Sequence, residues 1–432
     1  MTSTKLAPVS LAMFYGANRD FANAFSVRVT LKNPVEPEPL RRALDKAMER
    51  YPYFSVRLAV QGETLVLEDN PQPVTIVKGP EPAKLNTAAS NYHLVGVSYE
   101  RTSVIFGAFH ALTDGAGAFH WIKTVLYYYL CETEGRTLDP AGVRLAGEDI
   151  PEGELEDPFN MPIPETEDPL LPKWSGAFSV TDHTPVGRQR CWHIRIGETS
   201  FMKYTRTQDG SPATITSAFM AKTLHTLYPD MTQPVVCGMA HNFRDVIGKP
   251  LAHQSMVKLI ELAYPPRLKG ADIEKLAICS RGMVMLQSQP ETVWDTVKKQ
   301  LDLEKELEGL TLQEKFDLLR PIVTGARTGI GNLPASGPVS FKVSHVGRTD
   351  WGSMANMIES VHCSVTTDGS GICIEINTCN GYFDYCFMQE FEDDRYVNAF
   401  VELLEQEGIY CTLTGPYDVH VPKMRLPDEP EE

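Results

Sequence analysis

Apolar and polar positions alternate in several short runs along the chain, and between them the period changes to that of a helix. Phe25-Ser26-Val27-Arg28-Val29-Thr30-Leu31 has the two-residue beat of a half-buried strand. Pro37 and Pro39 then introduce a segment with Leu40, Ala43, Leu44, Ala47, Met48 and Tyr51 on one face. Arg41, Arg42, Asp45, Lys46, Glu49 and Arg50 fall on the other face, which predicts an amphipathic helix. Strands are expected at Phe54–Val60 and Thr64–Glu68, joined through Gln61-Gly62-Glu63, and again at Asn91–Glu100 and Thr102–Phe109. A helix rich in aromatics follows, from about Gly115 to Cys131.

Six prolines between Pro151 and Pro172 exclude a helix or a central strand there and mark a boundary or crossover. Beyond it the pattern predicts strands near Gln189–Ile196, Pro234–Ala240, Val339–Val346, Ser360–Thr366 and Gly371–Thr378. The last two are expected to pair as a hairpin through Asp368-Gly369-Ser370-Gly371. Helices are expected near Thr214–Tyr228, over Glu291–Leu319 and over Arg395–Glu407. Strands mixed with helices without a strict βαβ beat predict an α+β protein. The division expected is a first lobe over residues 1–172, closing in the linker 151–172, and a second over 173–432.

Length and composition support this reading. With 432 residues, 42% hydrophobic and 22% charged, the chain has material for two cores. Forty Lys+Arg against 56 Asp+Glu give a net charge of −16, the opposite of the basic excess of a nucleic-acid binder. Seven of those acids, with no base, fall between residues 151 and 172, so much of the excess reads as a solvated linker. No apolar run reaches the roughly 20 residues that span a bilayer, and Leu6–Phe14, broken by Pro8 and Ser10, reads as part of the fold. Nine scattered cysteines without a Cys-x-x-Cys pair read as reduced thiols of a cytoplasmic protein, and no metal site is expected from their spacing.

The chemistry concentrates in His110-Ala111-Leu112-Thr113-Asp114-Gly115, where the apolar strand Val104–Phe109 gives way to a helix. An imidazole at the mouth of a strand suits a general base, because its ordinary pKa near 6.5 lets it accept a proton at neutral pH. A carboxylate four residues on can fix the turn, and a glycine after it allows close backbone approach. Asp114 also suits a helix N-cap, and Arg244 has an acid next to it in Asp245.

This motif after an apolar strand resembles the active-site signature of the chloramphenicol-acetyltransferase-like acyltransferases. That superfamily includes alcohol O-acetyltransferases, plant BAHD acyltransferases, polyketide-associated acyltransferases and the condensation domains of nonribosomal peptide synthetases. Leu40–Leu58, with Glu49-Arg50-Tyr51-Pro52-Tyr53-Phe54-Ser55-Val56-Arg57-Leu58, is similar to the family's first helix and following strand. His241-Asn242-Phe243-Arg244-Asp245 is similar to its Asn-x-Arg segment, and Val343-Ser344-His345-Val346-Gly347 to its Ser-Asn-x-Gly strand end, with His345 in place of asparagine. Phe109 stands where condensation domains usually carry a first histidine, and Asp350-Trp351-Gly352 only echoes the BAHD Asp-Phe-Gly-Trp-Gly. The departures favour freestanding acyltransferases.

The resemblance implies two similar lobes with a tunnel between them. It implies His110 as general base and an Asp114 that points away from substrate to pair with Arg244. Gly115 would allow close packing, and Ser344 or a nearby N–H would hold the oxyanion. The expected reaction moves an acyl group from acyl-CoA, as co-substrate, to an alcohol, with no bound cofactor and no metal. An amine acceptor with a carrier-protein thioester as donor, and a non-catalytic acyl- or polyketide-binding descendant, are the other readings.

Overall fold

In the computed structural model the described residues are 3–17, 23–167, 188–323, 339–367 and 371–429, with 169, 171, 174, 176–180, 329–330 and 333–334 between them. They form two principal sheets. The first has five strands in the order Ile358–Val365, Ala24–Leu31, Ser103–Phe109, Val95–Glu100 and Ile76–Lys78. Ser103–Phe109 sits at its centre and is buried at all seven positions, which is why Val104–Phe109 is continuously apolar rather than alternating. The helix Pro37–Met48 buries Leu40, Ala43, Leu44 and Ala47, the face its sequence period marks, and lies against the helix Gly115–Thr133. A three-stranded sheet of Ser3–Lys5, Thr64–Asp69 and Val56–Gln61 covers one end.

The second sheet has seven strands: Val257–Tyr264, Val235–Asn242, Phe341–Arg348, Ile372–Cys379, Tyr382–Gln389, Arg190–Gly197 and Cys411–Asp418. One face packs Ile194, Ile196, Ile374, Ile376, Tyr385 and Phe387 into a core with the helices Pro212–Leu227 and Arg395–Gln406. Burial of such side chains contributes about 1.5–3 kcal/mol each relative to exposure. The other face carries Cys191, His193, Ser344, Glu375 and Cys386, small or polar groups, and it turns toward the strand Ile358–Val365 of the first sheet.

Three expectations are corrected. Ile358–Val365 and Ile372–Cys379 are not a hairpin: the former pairs antiparallel with Ala24–Leu31, and the latter pairs parallel with Phe341–Arg348 and antiparallel with Tyr382–Gln389. Residues 368–370 of the expected turn lie outside the described residues. The helix expected over Glu291–Leu319 is two helices, Pro290–Glu306 and Leu312–Val323, divided at Gly309, whose φ of 77° ends the first. The acidic linker is not wholly solvated, since Glu152–Leu155 forms a helical turn with Glu154 only 1% exposed.

The strands Val257–Tyr264, Tyr382–Gln389 and Cys411–Asp418 and the helices Glu198–Thr207 and Ile273–Gln287 were not expected from the pattern. Tyr382–Gln389 is buried at every position but the first, so it lacks the alternation that marks a half-exposed strand. Leu303, Phe316, Met424 and Leu426 return to the first core, which the chain therefore completes late.

Candidate active site at the strand–helix junction

The strand Ser103–Phe109 ends with Phe109 edge-on to Phe14, ring centroids 5.0 Å apart, and the next backbone N–H, that of His110, donates to Asn23 O at 2.7 Å. The His110 ring is half-buried, 5.2 Å from Phe25. Its Nδ1 has no hydrogen-bond partner among the described residues. A turn follows, closed by Leu112 N–H donating to Phe109 O at 3.0 Å. Thr113 Oγ1 then donates to His253 O at 2.7 Å.

Asp114 is both helix cap and ion-pair partner. Its Oδ1 accepts from Gly117 N at 3.0 Å, satisfying a helix N–H that has no partner within the helix. The same oxygen meets Arg244 Nη2 at 2.8 Å, and Oδ2 accepts from Met256 N at 2.9 Å. Both side chains are nearly inaccessible, 2% exposed for Asp114 and 4% for Arg244. Burial of two charges is tolerable only with such complete satisfaction. Arg244 accordingly also donates to Ala252 O at 2.9 Å, Asn242 Oδ1 at 3.1 Å and Gln254 O at 2.6 Å. Arg244 thus binds the motif to the loop 250–256, and its partner is Asp114 rather than the adjacent Asp245.

That loop is held from behind. His253 Nδ1 pairs with Glu154 O at 2.6 Å and its ring stacks on Tyr53 at 4.0 Å. Burial pushes His253 down to about 4, so the ring is neutral at pH 7. Glu154 takes a bidentate pair from Arg50 at 3.0 and 2.9 Å and a hydrogen bond from Tyr53 Oη at 2.9 Å. Arg144 lies 3.2 Å away. Sequence reasoning missed Glu154, Tyr53 and His253: a lone acid in an acidic stretch looks solvated until its cationic partners are placed around it. Burial, and then the nearby Arg144 and Lys123, hold His120 down to about 4 as well, at a small polar cleft on this side of the motif helix.

Gly115 faces the second sheet: a Cβ there would lie 3.1 Å from both Val346 methyls. Gly117 is tighter, since its Cβ would clash with the Thr113 hydroxyl and the His253 carbonyl oxygen, well inside van der Waals contact distance. Alanine in a helix is ordinarily about 0.5–1 kcal/mol better than glycine, but overpacking costs about 1–3 kcal/mol. Gly117→Ala is therefore expected to destabilise the protein in urea unfolding. Gly282→Ala, in a helix where nothing lies within 4 Å, should stabilise it.

Ser344 stands two residues from Val346 on the strand Phe341–Arg348, opposite Glu375 in the parallel register. Among the described residues no hydrogen bond joins Ser344 to His110. Burial pushes Glu375 from 4.5 up to about 7, although Ser344 and Lys342 favour its ionised form. His345 is likewise pushed by burial down to about 4. Between pH 4.5 and 7 the unfolded chain ionises Glu375 while the folded chain keeps it protonated, so folding stability falls as pH rises through that window. At 1.36 kcal/mol per unit the loss is up to about 3 kcal/mol. Glu375→Gln is expected to raise the melting temperature over wild type at pH 8 and leave it unchanged at pH 4.

No protein-family model and no curated protein matches the sequence. Solved structures match over nearly the whole chain. TRI101 of F. graminearum, complexed with coenzyme A and deoxynivalenol, is 12% identical with a TM-score of 0.60, covering 96% of this chain and 100% of that one. The starter condensation domain of rhizomide synthetase RzmA, in complex with C8-CoA, is 11% identical with a TM-score of 0.57, over 94% of this chain and 95% of its own. The fold is chloramphenicol-acetyltransferase-like. Polyketide synthase associated protein 5 from Mycobacterium tuberculosis shares this chloramphenicol-acetyltransferase-like architecture at 14% identity and a TM-score of 0.57, over 93% of this chain and 98% of its own.

Proposed function

We propose that this protein is an acyltransferase that moves an acyl group from acyl-CoA to an alcohol, with His110 as general base, a first lobe over residues 1–172 and a second over 173–432. The observation that carries the reading is the division of labour in the motif. Asp114 spends both carboxylate oxygens on Arg244, Gly117 and Met256, whereas the half-buried His110 ring makes no hydrogen bond among the described residues; its Nδ1 is inaccessible, which leaves Nε2 as the nitrogen that can take a proton. Support of a coarser kind comes from proteins of the same fold whose structures contain coenzyme A or an acyl-CoA.

In this reading His110 accepts the proton of the acceptor hydroxyl as its oxygen attacks the thioester carbon. The carbon–oxygen bond forms, the tetrahedral intermediate collapses with cleavage of the carbon–sulfur bond, and His110 returns the proton to the leaving thiolate. Asp114, Arg244 and Gly115 position the loop. Ser344 or a nearby backbone N–H serves the oxyanion.

The test is incubation of purified protein with acetyl-, butyryl- and palmitoyl-CoA and a pool of alcohols and amines, with products read by mass. A new ester is the expected result. Amide products would replace the alcohol acceptor. Product only from carrier-protein thioesters would replace the donor. No product from either donor would sink the enzymatic reading in favour of a binding protein.

A further inference from the structure

We propose that Cys191, His193 and Cys386 form a binding site for zinc(II) on the polar face of the seven-stranded sheet. Cys191 and His193 are two residues apart on the strand Arg190–Gly197, so both point to one face. Cys386 lies directly opposite His193 on the neighbouring strand. One ligand atom from each of the three lies within 4.8 Å of the others. A tetrahedral ion with zinc–sulfur bonds near 2.3 Å and zinc–nitrogen bonds near 2.0 Å draws such atoms to about 3.5–3.8 Å, a contraction that side-chain rotation supplies.

Cys191 and Cys386 pack with Cys373 and Met388 in a small buried cluster, and His193 brings an imidazole to its edge. Cys191 and Cys386 are inaccessible, while His193 remains half-buried and gives an ion a route in. The His193 ring is fixed in plane by His362, stacked at 3.8 Å and 11°, and by Tyr417 at 4.7 Å; such outer contacts orient a metal-bound imidazole. Lying flat on His193, His362 does not aim a nitrogen at the same ion, so water takes the fourth position. Two thiols release their protons to solvent as the ion binds, and the two thiolates neutralise its charge. The strands come from distant parts of the chain, so no spacing in the sequence signals the site, and the proposal departs from the expectation of a metal-free protein.

The test is elemental analysis of protein purified under reductant without chelator, followed by cobalt(II) substitution. About one zinc per chain and a thiolate-to-cobalt charge-transfer band are expected. Cys191→Ser and Cys386→Ser should each lower the zinc content at least tenfold, while Cys279→Ser should retain it. Wild-type protein with under about a tenth of an equivalent of zinc and no cobalt band on reconstitution would overturn the proposal, whatever the variants do. So would a Cys191–Cys386 disulfide in the peptide map of protein prepared without reductant.

Discussion

His110→Ala is expected to lower kcat/KM for acyl transfer about 10²–10⁴-fold, the range a positioned general base contributes. The loss should fall on kcat, because the base acts as the acceptor loses its proton and contributes little to holding either substrate beforehand. The fold should survive. His110 Nδ1 has no partner among the described residues, and the ring's contact is with Phe25 at its edge, so the substitution leaves no buried hydrogen-bonding group orphaned. A melting temperature within a few degrees of wild type is the matching expectation, since at most about 1 kcal/mol of packing is removed. Turnover within tenfold of wild type would take the base assignment away from His110. A collapse in stability would show the histidine to be part of the scaffold.

The motif was legible because two local signals coincide in it. The six-residue apolar run Val104–Phe109 reads as a strand, and a capping aspartate followed by small residues reads as a helix start. Nothing local says which cation Asp114 meets. Asp245 is the neighbour in sequence, yet Arg244 reaches a carboxylate 130 residues away because the end of one sheet brings it to the start of the motif helix. Glu154 fails in the opposite way: its composition signals solvent, and only Arg50 and Arg144 converging on it make burial possible. The misplaced hairpin has a similar cause. Asp-Gly-Ser-Gly is a strong turn signal, but a turn fixes only that two strands follow one another, and here they join different sheets. Long-range pairing also hides the Cys191, His193 and Cys386 cluster, whose members meet only across strands.

Arg244→Met should cost about 3–5 kcal/mol in folding stability, the loss expected when one partner of a buried ion pair is removed and the other stays charged. Asp114 would keep its hydrogen bonds from Gly117 and Met256, while Oδ1 would lose its counter-charge at 2% exposure. Arg244→Lys should recover little, because one ammonium cannot reproduce the fork that meets Asp114, Asn242, Ala252 and Gln254 together. Asp114→Asn is costly for a different reason: an amide presents donors where the carboxylate accepted, so one of its hydrogens faces either Met256 N–H or the Arg244 guanidinium. The double variant Asp114→Asn/Arg244→Met removes the unpaired charge and should be more stable than the sum of the single losses by about 0.5–3 kcal/mol, read from urea unfolding. Strict additivity would mean that the two residues do not stabilise one another. Activity separates positioning from mere stability. At a temperature where Arg244→Met is fully folded, kcat should still be depressed with KM for the acyl donor little changed, since the loop that aims His110 is no longer tied to residues 250–256. Full activity in that folded population would leave Arg244 a structural residue with no hold on the base.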